Sequence, residues 1–221
     1  MSGLLALVGG GEWSDGSDIA AHLLEASGGT EVVLLPTGSA YENPGKLVAR
    51  AVDWFHGLGA TVTEAPVLTR ADAMVQATAD QLRTARFIYL AGTSPMHLRS
   101  VLKDSPVFDA ICEAWTNGAV LAGTNAGADV LCDPMVDPRG GAFSVGLGVV
   151  SNIAVIPRSD EWSNDKIHRT VELAPSGLHL VSLPTATAIL RAADGTWTSR
   201  GDATVNVYRD GKAVTLADLP S

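Results

Sequence analysis

The chain has little of several things, and each shortage excludes something. Cysteine occurs only twice in 221 residues, as Cys112 and Cys132, too few for a disulfide framework or a cysteine metal cluster. Both lie in segments that read as helical with apolar neighbours, so they are expected to be small core residues in a reducing compartment. Lys and Arg number 15 against 24 Asp and Glu, giving a net charge of −9 and a pI near 4.9. That balance argues against nucleic acid and against an anionic membrane as partners. No apolar run approaches the ~20 residues of a membrane span. A strand begins almost at once, with no basic stretch ahead of an apolar one, so no signal peptide is expected and the cytosol is the expected location. Repeats, low-complexity tracts and linkers are lacking too. With 46% hydrophobic residues the expectation is one domain over 1–221 around one sizeable core.

What is present is an alternation of short apolar runs and amphipathic segments. Leu4 to Val8 reads as a strand followed by the turn Gly9-Gly10-Gly11, whose spacing is not that of a dinucleotide-binding loop. Ile19, Ala20, Leu23 and Leu24 form one face of a helix that Gly28-Gly29 ends. Val32 to Leu35 is a strand stopped by Pro36, and Asn43-Pro44 caps a helix carrying Leu47, Val48, Ala51 and Phe55 inward. Thr61–Thr63 and Phe87–Leu90 read as strands, with a helix through Met74, Val75, Thr78, Ala79 and Leu82 between them. Ser105-Pro106 caps a further helix. Strands without alternation, separated by helices, predict a parallel sheet covered on both faces. Past residue 133 the pattern turns to strands at 153–156, 180–183 and 187–191, a helix over 164–173, and a hairpin around Arg209-Asp210-Gly211. These last strands are expected to add an antiparallel edge.

One stretch carries the chemistry. Ala119 to Ala122 is a buried strand that breaks at Gly123, and a helix opens at Ala126 and runs to about Cys132. Gly123 and Gly127 stand two residues either side of Asn125. This is the G-x-nucleophile-x-G spacing of a strand-to-helix elbow, in which small neighbours permit a turn sharp enough to push one side chain into a cleft. Hydrolases place Ser or Cys at that apex; here it is Asn125.

Gly123-Thr-Asn-Ala-Gly-Ala128 resembles the G-T-S-A-G-A elbow of the cyanophycinase and aspartyl dipeptidase (dipeptidase E) family of serine peptidases. Leu7-Val-Gly-Gly-Gly-Glu12 is similar to that family's opening strand and turn. Phe87-Ile-Tyr-Leu-Ala-Gly-Thr-Ser94 is similar to its F-x-x-G-G-N/D-Q segment, and Val145-Gly-Leu-Gly148 to the G-L-G after the elbow. The resemblance covers most of the chain. It implies a fold like that of class I glutamine amidotransferases: an α/β three-layer sandwich on a mostly parallel sheet, with antiparallel additions in the C-terminal third. It also implies where a catalytic set would stand. The nucleophile position is Asn125 and the base position is Arg158. The acid position is Thr185 by the cyanophycinase branch, or near Asp133 and Asp137 by the dipeptidase branch. The family's oxyanion donors would correspond to the backbone of Gly92 or Thr93 and of Ala126.

Those residue types cannot run the reaction. An amide nitrogen is delocalised into its carbonyl and has no lone pair to offer, and a guanidinium stays protonated at physiological pH. A serine-type nucleophile needs an adjacent base that takes its proton. Asn does tolerate positive φ, so it keeps the bend while abolishing the chemistry. The expectation is a catalytically silent homologue binding a small anionic or peptide-like ligand through Gly92, Thr93, Ser94, Asn125, Ala126 and Arg158. Arg158 would grip a carboxylate, and the elbow helix would add its positive end. Two alternatives stand beside this. One is an active hydrolase of small peptides using Ser94, Thr124 or Ser39 as a displaced nucleophile, with His97 facing the cleft as base. The other is a structural subunit whose cleft is filled by Arg158 and Trp162. Asp129, Asp133 and Asp137 fall four apart, but the intervening prolines break the helix a metal site would need, so they are expected to serve turns and caps. No metal and no cofactor are expected, and a homodimer is compatible with the chain.

Overall fold

A computed structural model describes residues 2–221. The first half runs β1 (Leu5–Val8), α1 (Ile19–Ser27), β2 (Glu31–Gly38), α2 (Pro44–Gly57), β3 (Thr61–Glu64), α3 (Arg70–Ala73), α4 (Gln76–Arg83), β4 (Phe87–Gly92), α5 (Pro95–Leu102) and α6 (Pro106–Thr116). The elbow elements follow as β5 (Val120–Thr124) and α7 (Ala126–Leu131). Short strands come next: β6 (Cys132–Asp133), β7 (Met135–Val136), β8 (Phe143–Ser144) and β9 (Val150–Ser151). The chain ends with β10 (Ile153–Pro157), α8 (Asn164–Leu173), β11 (His179–Leu183), β12 (Ala188–Arg191), β13 (Trp197–Arg200), β14 (Asn206–Arg209) and β15 (Lys212–Val214).

Seven strands form the central sheet in the order β13-β12-β1-β5-β4-β2-β3. The five from β1 to β3 are parallel, and β12 and β13 join antiparallel at the β1 edge. Both faces are covered, which is why the strands carry no polar alternation. Leu5, Leu7, Ile88, Leu90 and Leu121 point to the face packed by α3 to α7. Ala6, Val8, Phe87, Tyr89 and Ala122 point to the face packed by α1 and α2. The result is an α/β three-layer sandwich on a mostly parallel sheet, as the sequence predicts.

Several local expectations are met by visible chemistry. The Asn43 side chain accepts from the Lys46 amide at 3.2 Å ahead of Pro44, and Ser105 accepts from the Phe108 amide at 3.1 Å ahead of Pro106. The Asp210-Gly211 turn between β14 and β15 has φ of 49° and 73°, the positive pair that a two-residue hairpin requires.

Other expectations need correction. β2 does not stop at Pro36 but continues to Gly38, with a register shift after Leu35 that accommodates the proline's missing donor. The expected helix through Met74 and Val75 is two helices. Thr69 and Asp72 form a capping box that starts α3, and Met74 and Val75 are exposed at the break. Cys132 lies just past α7, in β6, and is fully buried there. The C-terminal strands do not form one added edge. β12 and β13 extend the central sheet, whereas β14 and β15 join a second sheet of order β15-β14-β11-β10-β6-β9. No described helix is long and apolar enough to cross a membrane.

Candidate functional site

The elbow is built by close backbone packing. A Cβ on Gly123 would stand 2.4 Å from the Gly127 carbonyl, and a Cβ on Gly127 would stand 2.3 Å from the Leu90 carbonyl oxygen. Only glycine fits either position, so strand β5 passes directly over the first turn of α7. Between them Asn125 has φ 51° and ψ −110°, a backbone state that non-glycine residues rarely occupy. Its amide donates to the Val8 carbonyl at 2.9 Å, tying the apex to β1. The side chain is thereby held at the C-terminal ends of β1, β4 and β5, where open parallel sheets leave a crevice.

Two chambers open beside Asn125, and Thr93, Asn125 and Arg158 line both. The first, about 180 Å³, is walled by Gly10, Gly11, Glu12, Trp13, Ser39, Leu47, Arg50, Gly92 and Thr124. The second, about 170 Å³, is walled by Pro95, Ala126, Asp129, Val136, Pro138, Pro157, Glu161 and Trp162. Gly92, Thr93, Asn125, Ala126 and Arg158 are thus brought together at one cleft, whereas Ser94 lines neither chamber. A larger hollow of about 410 Å³, around Ser14 to Asp18 and Arg200 to Ala203, lies apart from the elbow.

The roles expected of these residues change in detail. Thr93 is not a free backbone donor: its amide, like that of Ser94, is spent on the Gly38 carbonyl, at 3.1 and 3.0 Å. The Ala126 amide, at the first position of α7, has no partner within its helix. That helix spans only six residues, so its end carries a small dipole. Arg158 is not waiting for a ligand carboxylate. Its Nε donates to Glu161 at 2.8 Å and its Nη2 donates to the other Glu161 oxygen, a two-point pair. Arg158 itself sits at φ 53°, beside Gly10.

The expected acid positions are engaged elsewhere. Thr185 donates both its amide and its hydroxyl to Asp160 Oδ1, at 2.7 and 3.0 Å. Asp137 is bound by Arg139 through Nε and Nη2, which holds its carboxyl below the usual range. Asp133 accepts from the Gly146 amide, and Asp129 from the Val136 amide. Of the three aspartates only Asp137 serves a local turn, accepting from the Arg139 amide, while Asp129 and Asp133 reach amides 7 and 13 residues on; among the described residues no group of three or more His, Cys, Asp or Glu stands together. His97 does not face the cleft. Its Nε2 lies 2.9 Å from the Leu68 carbonyl and its ring packs edge-on against Tyr41. Among the described residues no histidine lines either chamber.

Two buried acids stand at the walls of the chambers. Glu12 is only 2% exposed and accepts from the Tyr89 hydroxyl at 2.5 Å and the Thr124 hydroxyl at 2.9 Å. Burial raises its pKa, against the pull of those two bonds. Asp129, also 2% exposed, is pushed well up by burial, opposed by the Val136 amide and assisted by Asp137. Glu12 follows the first glycine turn, a position that hints at a cleft. Asp129 carries no such hint, because its spacing to Asp133 and Asp137 draws it into a surface reading.

Comparison with known proteins agrees with this architecture. Residues 5–140 match Peptidase family S51. The cyanophycinases of Synechococcus elongatus and Thermosynechococcus vestitus (strain NIES-2133 / IAM M-273 / BP-1) are each 26% identical over 167 residues, covering 69% of this chain and 51% of theirs. The chain thus spans about half the length of the curated relatives it matches. A peptidase from an acI-B1 Actinobacterium superposes with a TM-score of 0.83 at 26% identity, over 97% of both chains. A protein of Listeria monocytogenes EGD-e assigned as a peptidase E shares the fold, with a TM-score of 0.64 at 18% identity over 95% of this chain and 99% of its own. The family match covers more than half of the chain, and the chain belongs to peptidase family S51.

Proposed function

We propose that this chain is a catalytically silent member of its family that binds a small anionic or peptide-like ligand in the cleft beside Asn125. The observation that carries this reading is the state of the elbow. Its geometry is retained, with Asn125 at φ 51° and ψ −110°, yet the apex is an amide and the neighbouring side chain at the base position is the guanidinium of Arg158. Strain of this kind costs on the order of 1–3 kcal/mol and persists where the surroundings enforce it. Here β5, α7 and β4 enforce it whether or not the apex reacts. The first chamber carries the guanidinium of Arg50, which has no carboxylate ion pair among the described residues, beside an Arg158 already matched by Glu161, and so favours an anion. The test is twofold. Fluorophosphonate probes and aspartyl dipeptides should leave the purified chain unlabelled and unconsumed. A cleft ligand at 100 times its Kd should stabilise the fold by about 2.7 kcal/mol. Turnover of a dipeptide would end this reading.

A second reading has one observation in its favour. Thr124 Oγ1 donates to Glu12 Oε2 at 2.9 Å, a hydroxyl paired with a carboxyl at the wall of the first chamber. This supplies a hydrolase with Thr124 as nucleophile and Glu12, not His97, as base. Covalent labelling at Thr124 is the outcome that would favour it.

A further inference from the structure

The second chamber differs chemically from the first. Val136, Pro95, Pro138, Pro157 and Trp162 make most of its wall apolar. Its charged pair, Arg158 and Glu161, is internally neutralised. At the wall lies Asp129, on the first turn of α7 and only 2% exposed. One carboxyl oxygen accepts the Val136 amide at 2.7 Å. The other takes no hydrogen bond from any described residue, and no cation is within ion-pair distance of it. Buried polar side-chain atoms are in the large majority hydrogen-bonded, and a carboxyl has capacity well beyond the one bond Asp129 makes. Its second oxygen, on a residue that lines the chamber, is therefore open to a ligand atom.

We propose that this chamber receives a neutral arm of the cleft ligand, apolar along its length and ending in a hydrogen-bond-accepting carbonyl, with Asp129 as the residue that selects it. This rests on the reading of the cleft as a binding site. The choice of a neutral tip follows from the surroundings. The charged and titratable groups around the chamber are Asp137 from the segment after β7, the Cys132 thiol just past α7, the Arg158–Glu161 pair, and Lys166, whose Nζ donates to the Pro138 carbonyl and stands 3.4 Å from the Trp162 ring centroid. None of these cations is within ion-pair distance of Asp129, and Asp137 is a like charge that Arg139 already engages. Burial with no cation in reach favours the protonated form of this carboxyl, and a protonated carboxyl offers one O–H donor. Its complement is a carbonyl oxygen, such as that of a carboxamide. An ammonium tip would need Asp129 ionised in an apolar chamber.

Three probes of equal backbone separate the alternatives: the N-acetyl methylamides of glutamine, lysine and norleucine. Their binding is measured by calorimetry between about pH 5.5 and 8.5 on the wild type, Asp129→Asn and Asp129→Leu. The glutamine derivative is expected to bind about tenfold tighter than either other probe at the lower pH, the worth of one buried hydrogen bond. That preference should fade as pH rises. Asp129→Asn keeps an acceptor for the Val136 amide and supplies an N–H donor, so it should retain the glutamine preference and lose the pH dependence. Asp129→Leu should shift preference to norleucine. Tighter binding of the lysine derivative, equal binding of all three, or binding of none to the wild type would overturn the assignment. So would loss of the glutamine preference in Asp129→Asn. Hydrolysis of a probe would instead sink the silent-elbow reading while leaving the side-chain order to be judged by itself.

Discussion

Arg158 Nε donates to Glu161 at 2.8 Å across one turn of chain; Arg158 lines both chambers of the cleft and Glu161 the second. The Arg158 guanidinium is therefore already matched by a carboxylate of its own chain. A ligand carboxylate must compete with Glu161 for it.

Glu161→Gln removes that competitor. The variant is expected to bind a small dicarboxylate such as N-acetyl-aspartate about tenfold tighter than the wild type, because the two-point donor face of Arg158 becomes free. Calorimetric titration reads this directly. Unchanged affinity would mean that the anion never reaches Arg158.

Asn125→Ser places a hydroxyl at the strained apex but leaves the guanidinium of Arg158, and no histidine among the described residues, beside it. It is expected to remain unlabelled by fluorophosphonates and inactive on aspartyl dipeptides. Asn125→Ser combined with Arg158→His supplies both groups and should label slowly. Mass spectrometry of the labelled protein distinguishes the two. Labelling of the single variant at its new apex hydroxyl would contradict the base argument.

The elbow glycines are expected to tolerate no side chain. Gly123→Ala places a Cβ 2.4 Å from the Gly127 carbonyl, and Gly127→Ala places one 2.3 Å from the Leu90 oxygen, both rigid backbone contacts. Each should cost about 3 kcal/mol or more in chemical denaturation. Asn125→Gly is expected to act the other way, gaining about 1 kcal/mol by relieving the positive φ. For a chain of this size that is a rise of about 2–4 °C in Tm.

Asp129 gives the stability of the fold a definite dependence on pH. Its pKa is raised in the folded state relative to the unfolded one, so folding takes up a proton there. The contribution is fully present below the unfolded value of about 3.9 and is lost as pH rises through the folded value. Asp129→Asn removes the titration. Its Tm relative to wild type should therefore climb from about pH 4 upward and level off above the folded pKa. A difference independent of pH would show that Asp129 does not hold its proton.

Much of this was legible in the residues because it depends on local chemistry. Asn43-Pro44 and Ser105-Pro106 announce helix starts through a side-chain acceptor and a missing donor, both close at hand in sequence. The unalternating run Phe87–Leu90 announces a strand buried on both faces. Gly123, Asn125 and Gly127 announce the elbow, since the steric need for glycine is set by the turn itself. The break at Met74 was not legible, because Thr69 and Asp72 cap α3 in competition with a longer apolar periodicity. Nor was the division of the last strands between two sheets, which depends on contacts far along the chain.

The same line runs through the site. Sequence alone determined the family's frame, the sharp bend and the presence of Asn125 between Gly123 and Gly127, because each follows from residue type at short spacing. Only the tertiary structure decided which groups meet. It turned His97 toward Leu68, occupied Arg158 with Glu161, set Glu12 under Tyr89 and Thr124, and buried Asp129 in a chamber of prolines. Burial and pairing are sums over neighbours distant in sequence, and it is these sums that govern charge, proton affinity and the space open to a ligand.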